Sequence, residues 1–372
     1  MKWVALLIVS VSLGYAFTGV FKPGLNLAHN DSTTWNGYMS LRLMDSRRFK
    51  QIRTEIAWVI SPTAGNPALK GPENELSLFR IADPDARIWP AEWNGNESFS
   101  ILQNIDRLSL QARPARIRIT VGRQAIFWGV SKSVSPTDFI APFPYGAINT
   151  DYRAGVDAIR AVYPIGVMSE IESGFVSGDN AEIEKSGYWL RTRLYALNTD
   201  ISILAAEFRE NTLVGTSLNR AIGGSVGWIE SAVTKPNEGS TYWRLSTGLE
   251  RSFHNSILYG FLEYHYNSPG ASSGENYAIN STTPAYTTGG VYLMAKHYLA
   301  TGISITATPL LTLNGNGLLN LNDLSARLSA SGDYSLSDNS AFNAGISCGL
   351  GSDETEFGNL PTVFHSILSM YF

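Results

Sequence analysis

The sequence predicts an all-β fold, because apolar and polar residues alternate along most of the chain in segments of about ten residues. In "QIRTEIAWVI", for example, Ile56, Trp58 and Ile60 fall on one face of a strand, and Arg53 and Glu55 fall on the other. A strand has this period of two, and no stretch of comparable length keeps the helical period of about 3.6 residues. The repeated alternation therefore indicates a protein built almost entirely of strands.

The alternation continues to the last residue of the chain. The closing stretch "VFHSILSMYF" places Phe364, Leu368, Met370 and Phe372 on one parity. A soluble domain usually ends in a few disordered polar residues, whereas this chain ends on an aromatic. A last strand that closes a ring against the first strand, and whose outer face meets lipid, explains a terminal aromatic residue at the membrane interface.

The first residues are typical of a secretory signal peptide. In "MKWVALLIVSVSLGYAFTG" one basic residue, Lys2, precedes an apolar run over 4–13, and Ala16 provides a small residue for cleavage. The run is too short to span a bilayer, which requires about 20 apolar residues. We therefore expect residues 1–16 to be removed and residues 17–372 to form a single outer-membrane β-barrel domain.

Composition excludes several other classes of protein. Cys348 is the only cysteine, so the chain has no intramolecular disulfide and no cysteine-based metal site. The formal net charge of −4 comes without basic clusters, which argues against a nucleic-acid partner. The histidines are dispersed and show no metal-ligand spacing, and the glycines of "IGGSVG" do not open a helix that could bind phosphate. We expect no cofactor and no metal.

The connections between the predicted strands are of two kinds that largely alternate. Tight turns are predicted at 113–116, 163–166, 198–200, 254–256 and 337–340. Long polar loops are predicted at 61–100, 128–152, 177–186, 233–240, 267–289 and 351–361. Short turns at the periplasmic rim and long loops outside are typical of outer-membrane barrels. Counting strands gives 18, with 16 as the fallback. A soluble β-sandwich or propeller is the alternative, but aromatic residues at the strand ends favour a barrel in lipid.

Two features of the sequence resemble a known group. The C-terminal strand with its terminal Phe372 resembles the signature of Gram-negative outer-membrane proteins, which implies recognition by the barrel-assembly machinery. Within that group, "GRQAIFWGVSKSVSPTDFIAPF" (122–143) resembles a G-R-Q-x-I-x-W-G…P-x-D…P segment of porin-like barrels, including alginate-export-type channels. "AGVDAIRAVYPIG" and "LSDNSAFNAGI" are also similar to that group. The resemblance implies an outer-membrane channel.

The polar parity of the strands predicts which side chains line the interior of such a channel. The predicted lining residues are Arg42, Arg53, Arg116, Arg118, Arg191, Arg193, Arg209, Arg244, Glu263 and Arg327. Arginine outnumbers acid on this wall, although the chain as a whole is slightly acidic. A series of arginines can guide anionic solutes, because rings of charged side chains set pore selectivity. The alternative is that these arginines pair with neighbouring carboxylates and only brace the wall.

The segment 128–152 is a candidate constriction. It is proline-rich and unusually apolar for an exposed loop, so it either folds into the lumen or packs as an extracellular cap. The residues expected to line the narrow zone are Arg123, Lys132, Asp138 and Arg153. Arg123 shares the parity of a lipid-facing valine, and a bulge at Gly122 would turn it inward.

The residues predict passive diffusion of small hydrophilic solutes through a barrel in outer-membrane lipid, and the arginine wall favours anionic solutes. A non-conducting barrel for surface binding or adhesion, based on the long loops, is the first alternative. An outer-membrane hydrolase is the second, but His254 and Ser256 flank Asn255 in a tight turn, which is the commoner role of such residues. We therefore expect no enzyme. The sequence leaves open the solute, the ion selectivity, and whether the protein is a monomer or a trimer.

Overall fold

The computed structural model describes residues 17–30, 32–65, 79–81, 87–93, 96–142 and 152–372. Within these ranges the strands are β1 Thr18–His29, β2 Thr33–Phe49, β3 Ile52–Gly65, β4 Arg87–Trp93, β5 Asn96–Ala112, β6 Arg118–Gln124, β7 Val156–Pro164, β8 Glu170–Val176, β9 Gly187–Ala196, β10 Thr199–Phe208, β11 Asn211–Ile222, β12 Ser225–Pro236, β13 Tyr242–Phe253, β14 Leu258–Asn267, β15 His297–Thr308, β16 Leu311–Asn320, β17 Ala326–Ser337, β18 Ser340–Leu350 and β19 Thr362–Tyr371. The expected signal peptide, residues 1–16, lies outside the described residues and stays a prediction.

Eighteen of these strands form one closed antiparallel ring. The ring closes because β1 pairs with both β2 and β19, with Val20 opposite Tyr371. Pairing reaches the last residue: Gly19 and Phe372 exchange two backbone hydrogen bonds of 2.8 Å and 3.0 Å. The terminal aromatic residue is thus part of the closing strand pair. The remaining strand, β4, pairs only with β5 and stands outside the ring. The prediction of an 18-stranded barrel is confirmed, and the fallback of 16 strands is wrong.

The outer face of the ring is apolar. Neighbouring strands from β10 to β14 expose about half of the side chains of Ile203, Val214, Ile229, Leu249 and Leu262, at 52%, 56%, 48%, 54% and 53%. A continuous apolar belt around a closed sheet is unfavourable in water and is satisfied by lipid. The predicted alternation therefore places the apolar parity on the membrane side of the barrel.

The connections follow the expected division between two rims, with some corrections. Two-residue turns such as 197–198 lie at the rim that carries both chain termini, and 268–296 and 351–361 extend from the other rim. The predicted loop 61–100 is wrong in part, because β3 extends to Gly65 and β4 and β5 form a hairpin within it. The turn at 209–210 is a short link at the long-loop rim that the sequence did not indicate.

Helical structure is confined to the loops. Short 3₁₀ helices span Asp179–Ala181, Ile183–Lys185 and Gly274–Asn276, and two α-helical turns follow, α1 at Tyr277–Asn280 and α2 at Pro284–Thr287. No α-helix among the described residues is long and apolar enough to cross a membrane.

Candidate functional site: a segment anchored inside the barrel

The chain between β6 and β7 turns into the barrel and is held there by the carboxylate of Glu230 on β12. We call residues 125–142 together with 152–155 the inner segment. Glu230 Oε2 accepts hydrogen bonds from the N–H groups of Val130 (2.8 Å) and Ser131 (2.9 Å) and from the Ser131 hydroxyl (2.8 Å). Glu230 Oε1 accepts from the Ser135 hydroxyl (2.5 Å) and from the N–H (2.9 Å) and hydroxyl (2.7 Å) of Thr137. Glu230 is fully buried, and these donors replace the water that it loses.

A second wall carboxylate, Glu263 on β14, binds the neighbouring part of the inner segment. Its Oε2 accepts from the N–H of Lys132 at 2.7 Å, and its Oε1 accepts from the N–H groups of Ser133 at 3.2 Å and Val134 at 3.1 Å. The indole N–H of Trp228 completes the set at 3.0 Å. The two carboxylates together accept from most of the backbone N–H groups between residues 130 and 137, so this part of the inner segment has a fixed path along the wall.

A third wall carboxylate, Glu172 on β8, anchors the start of the inner segment. Its Oε1 accepts from the indole N–H groups of Trp128 and Trp189, each at 3.0 Å. Its Oε2 forms an ion pair with Arg160 at 2.6 Å, and Arg191 lies 3.9 Å away. Glu172 therefore links the inner segment to three strands of the wall through charge-assisted hydrogen bonds.

Apolar packing reinforces these polar anchors. The ring of Phe139 stacks on Phe208 of β10, with centroids 3.9 Å apart and planes 15° apart. Trp128 packs against Trp189 with centroids 5.3 Å apart. Both contacts belong to a buried cluster between the inner segment and the walls of β7 to β12. Burial of one such aromatic side chain contributes about 1.5–3 kcal/mol. The inner wall is therefore apolar where the inner segment covers it, which the polar parity of the strands did not indicate.

The returning limb, residues 152–155, attaches to a different part of the wall. The N–H of Gly155 donates to Asp106 Oδ1 on β5 at 2.8 Å. Asp106 Oδ2 is ion-paired with Arg42 at 2.5 Å and with Arg107 at 2.6 Å. A Cβ atom on Gly155 would lie 1.9 Å from the carbonyl oxygen of Asp106, so the close approach requires glycine. Arg107 also donates to the carbonyl of Arg153 at 2.7 Å.

These attachments show that the inner segment crosses the lumen. Counting around the ring from β2 through β3 and β5 to β12 gives nine steps in a ring of eighteen, so β2 and β12 face each other. On the β2 side, the guanidinium carbon of Arg42 lies 3.9 Å from the ring centroid of Tyr152. On the β12 side, Glu230 holds residues 130–137. An ion pair between Arg153 and Asp138 joins the two limbs. This arrangement favours a segment folded into the lumen over an extracellular cap.

Asp138 provides a carboxyl group within the described part of the inner segment. Its side chain is buried, and burial raises its pKa to about 6 although Arg153 opposes the shift. One of its oxygens, Oδ1, has no hydrogen-bond partner. Lys132 lies at the edge of the segment, where its Nζ contacts Glu250 at 2.9 Å. The inner segment thus carries charges of both signs, and burial moves the pKa of Asp138 toward neutral pH.

Arg123 is buried at the end of β6, where it forms a bidentate ion pair with Asp157 at 2.8 Å and 2.7 Å. It also donates to the carbonyl of Ile105 at 3.0 Å. The preceding Gly122 has φ +107°, a value that favours glycine, and a Cβ there would lie 2.2 Å from the carbonyl of Leu108. The β-bulge expected at Gly122 is absent, because β6 keeps a continuous register with β5 and β7 through Gly122; the positive φ of Gly122 is the local change beside Arg123. Arg123 holds β6 to its neighbours beside the inner segment.

The structure divides the predicted lining arginines into three groups. Arg118, Arg191 and Arg193 lie on the inner face, each within 4 Å of a carboxylate: Glu170 at 3.9 Å, Glu172 at 3.9 Å and Asp200 at 3.1 Å. Arg53 and Arg327 lie on strands, and Arg53 donates to the Ser46 hydroxyl at 3.0 Å. Arg42, Arg244 and Glu263 face inward but are covered, and Arg244 donates to the carbonyl of Pro136 at 2.9 Å.

Two of the predicted lining positions are wrong. Arg116 lies in the exposed turn before β6, because the strand begins only at Arg118. Arg209 lies in the two-residue turn between β10 and β11, with φ 45°. Strand parity does not apply to residues in turns, so neither side chain belongs to the inner face of a strand.

Sequence reasoning missed several residues that build the site, namely Lys22, Asp106, Arg107, Arg160, Glu172 and Glu230. Arg107 was hidden because the register between β3 and β5 shifts at Ala57, which breaks the alternation beside it. Glu230 and Glu172 do follow the inward parity of their strands. The available signal for Glu230 was a single acidic residue among small and apolar neighbours, and for Glu172 it was a second acid at the spacing of two from Glu170.

A buried serine–histidine pair lies under the inner segment, but its hydrogen bonds do not suit catalysis. Ser246 Oγ donates to the carbonyl of Val134 at 2.6 Å and lies 2.7 Å from Nδ1 of His265. A hydroxyl has one proton, so Nδ1 of His265 must be the donor in the second contact. An imidazole protonated at Nδ1 cannot take the proton of Ser246 there. The pair therefore fixes Val134 in place.

The long loops at the far rim are joined by the half-buried carboxylate of Glu356. Its Oε1 accepts from the N–H of Met294 at 2.9 Å, and its Oε2 accepts from the Tyr298 hydroxyl at 2.5 Å and the Asn320 amide at 2.9 Å. Burial raises the pKa of Glu356. This network fixes the loops 268–296 and 351–361 to each other beside the entrance. Within the described ranges, no group of three or more His, Cys, Asp or Glu side chains is placed to hold a metal ion.

The closed ring of 18 strands, the apolar outer belt and the crossing segment define a porin-like transmembrane β-barrel. Solved structures support this fold. OccAB2 of Acinetobacter baumannii is similar with a TM-score of 0.61 and 8% identity, over 96% of this chain and 97% of that chain. OccAB1 of the same organism is similar with a TM-score of 0.57 and 9% identity, over 96% of each chain.

A third similar structure is OpdK of Pseudomonas aeruginosa with vanillate, at a TM-score of 0.56 and 8% identity, covering 96% of this chain and 98% of that chain. Identities this low establish the fold and nothing finer. No protein-family model matches the sequence, and no curated protein matches it.

Proposed function

We propose that this protein is an outer-membrane channel for passive diffusion of small hydrophilic solutes, with a preference for anions. The observation that carries the proposal is the balance of charge where the inner segment crosses the lumen. Among the described residues there, the cations are Lys22, Arg42, Arg107 and Arg153, and the carboxylates are Asp106 and Asp138. These cations outnumber these carboxylates in a confined, partly apolar zone, where charges act more strongly than in bulk water.

The anchoring of the inner segment supports selectivity at this zone. Glu230 and Glu263 carry negative charge on the inner wall, but backbone and hydroxyl donors surround both carboxylates. These two acids are therefore shielded from a passing solute. Arg118, Arg191 and Arg193 each lie within 4 Å of a carboxylate, so bracing describes these three better than the predicted arginine series. The proposed anion preference thus arises at the crossing.

The comparison with OpdK adds a class of solute. That crystal structure is of OpdK with vanillate, a small aromatic carboxylate. A carboxylate of this size would meet the guanidinium of Arg153, which is about one-fifth exposed at 21%. Guanidinium binds both oxygens of a carboxylate in a fork geometry. Small organic carboxylates are therefore the solutes that we propose first.

Single-channel recording in a planar bilayer with a KCl gradient tests the proposal. We expect stable conductance steps and a reversal potential shifted toward the chloride equilibrium potential. Lys22→Gln removes one cation from the crossing and should lower the chloride-to-potassium permeability ratio by a factor of about 2–5. Lys235→Gln, at the exposed end of β12, is the matched control and should leave the ratio unchanged. A folded barrel that never conducts contradicts the proposal and favours a surface-binding role.

Biogenesis and assembly belong to the same proposal. The terminal Phe372 is exposed (60%) on the last strand and is available to the barrel-assembly machinery before the ring closes. Deletion of Phe372 should reduce the amount of folded, heat-modifiable barrel in the outer membrane. An unchanged amount would contradict the expected recognition.

A further inference from the structure

The membrane side of the barrel has a groove across strands β11 to β15. It has a volume of about 630 Å³, and its lining includes Leu218, Arg220, Gly227, Ile229, Leu249 and Leu262. These residues form level rows across the strands, because Arg220 pairs with Gly227, Gly227 with Leu249 and Leu249 with Leu262. The groove begins at Gly227, where β12 has no side chain. The floor of the groove is apolar, and the lower end of the groove, which lies toward the rim of the chain termini, carries the positive charge of Arg220.

Two arginines flank this lower end on the outer face. Arg220 is on β11, and Arg251 is on β13, where it pairs with Ser225 of β12. We call the site formed by Arg220, Ser225, Gly227 and Arg251 the rim notch. Strands lie about 4.8 Å apart and residues rise about 3.3 Å, which puts the two arginine Cα atoms about 12 Å apart. Arginine side chains are long enough to meet over the small residues between them.

Within the described part of the chain, no Asp or Glu oxygen lies within 4.0 Å of either guanidinium of the rim notch. Arg251 lies over the ring of Phe253, at 5.0 Å from its centroid. Arg47, on the outer face of β2 at the same rim, differs because it is paired with Asp45 at 2.7 Å. A cation on the lipid face costs about 2–4 kcal/mol at the bilayer midplane and much less near the headgroups. The rim notch lies two residues above the strand ends, so its charges are placed at headgroup level.

We propose that the rim notch binds one phospholipid of the leaflet at the rim of the chain termini. The lipid phosphate lies between Arg220 and Arg251, which donate charge-assisted hydrogen bonds to its oxygens. One acyl chain lies over Gly227 and against Ile229 and Leu249 in the groove. The proposal depends on insertion of the barrel in a membrane and is independent of conduction.

The test is native mass spectrometry of delipidated protein in detergent, titrated with palmitoyl-oleoyl-phosphatidylglycerol. The wild type should bind one lipid more tightly than any further lipid. The double variant Arg220→Gln with Arg251→Gln should bind this first lipid at least about tenfold more weakly. Lys235→Gln, an exposed cation at the opposite end of β12, is the control and should bind as the wild type does.

A second variant tests the groove without altering charge. A Cβ at Gly227 would contact the side-chain ends of Leu249 at 3.0 Å and Ile222 at 3.1 Å, which can move aside. Gly227→Val should therefore keep the heat-modifiable fold. The valine side chain should fill the groove and weaken the binding of the first lipid. Equal lipid binding by the wild type and the double variant would overturn the proposal. Displacement of the lipid by millimolar inorganic phosphate would reassign the rim notch to free phosphate.

Discussion

Glu230 and Thr137 are joined by two hydrogen bonds to one carboxylate oxygen, at 2.9 Å from the N–H and 2.7 Å from the hydroxyl, although 93 residues separate them. Glu230 belongs to the rigid wall, and Thr137 belongs to the segment that crosses the lumen. The wall thus specifies the path of the crossing segment through a side chain. A buried carboxylate with several donors is strongly stabilising as a set and costly to remove.

Glu230→Ala should release the first limb of the inner segment while the barrel stays folded. The substitution leaves the N–H groups of Val130, Ser131 and Thr137 without an acceptor, each at a cost of about 1–3 kcal/mol. Hydrogen exchange of these amides should accelerate by at least about 100-fold. Glu207→Ala, at an exposed carboxylate on β10, is the control and should leave their exchange unchanged. Retained protection in Glu230→Ala would show that apolar packing alone holds the segment.

Asp138 should make ion selectivity depend on pH. Its pKa in the folded protein is about 6, above its ordinary value of 3.8. A raised pKa means that the protonated form is favoured by folding, so its stabilising contribution is complete below pH 3.8 and is lost as the pH rises through about 6. At pH 5 the crossing loses one negative charge relative to pH 8. The chloride preference of the wild type should therefore increase on acidification.

Two variants identify Asp138 as the source of that change. Asp138→Asn cannot ionise and should show the low-pH selectivity at both pH 5 and pH 8. Asp333→Asn, at an inward carboxylate on β17 that accepts from two asparagine amides, should keep the pH response of the wild type. The measurement is the reversal potential in a KCl gradient. A pH response that survives in Asp138→Asn would assign it to another group.

The fold was predictable because its main determinant is local. Alternation with a period of two identifies strands, and the apolar end of β19 indicates a ring that closes in lipid. The site was less predictable because its contacts join residues about 100 positions apart, as between Val130 and Glu230. Parity gave the direction of Arg244 and Glu263 correctly but could not show that the inner segment covers them. The predictions for Arg116 and Arg209 were wrong because the alternation does not show where a strand ends and a turn begins.

Gly155→Ala should disturb the returning limb. The added methyl group would lie 1.9 Å from the carbonyl oxygen of Asp106, a backbone atom that cannot move aside. The limb must then shift, and the hydrogen bond from Gly155 to Asp106 at 2.8 Å is lost, at a total cost of about 2–4 kcal/mol. Gly260→Ala is the control, because its nearest contact is an ordinary 3.6 Å. We expect noisier single-channel currents for Gly155→Ala only; steady currents would mean that the limb tolerates the shift.

Glu356→Gln should loosen the loops at the far rim without changing the lumen. The amide that replaces one carboxylate oxygen cannot accept from Tyr298 and Asn320 as Oε2 does, at 2.5 Å and 2.9 Å. The loss of one charge-assisted contact costs about 1.5–3 kcal/mol, which raises the open population of the loops more than about tenfold. Cleavage by a nonspecific protease within 268–296 should accelerate accordingly, since cleavage follows that population. Glu354→Gln, exposed in the same loop, should leave cleavage unchanged, and equal rates for both variants would show that Glu356 does not hold the loops together.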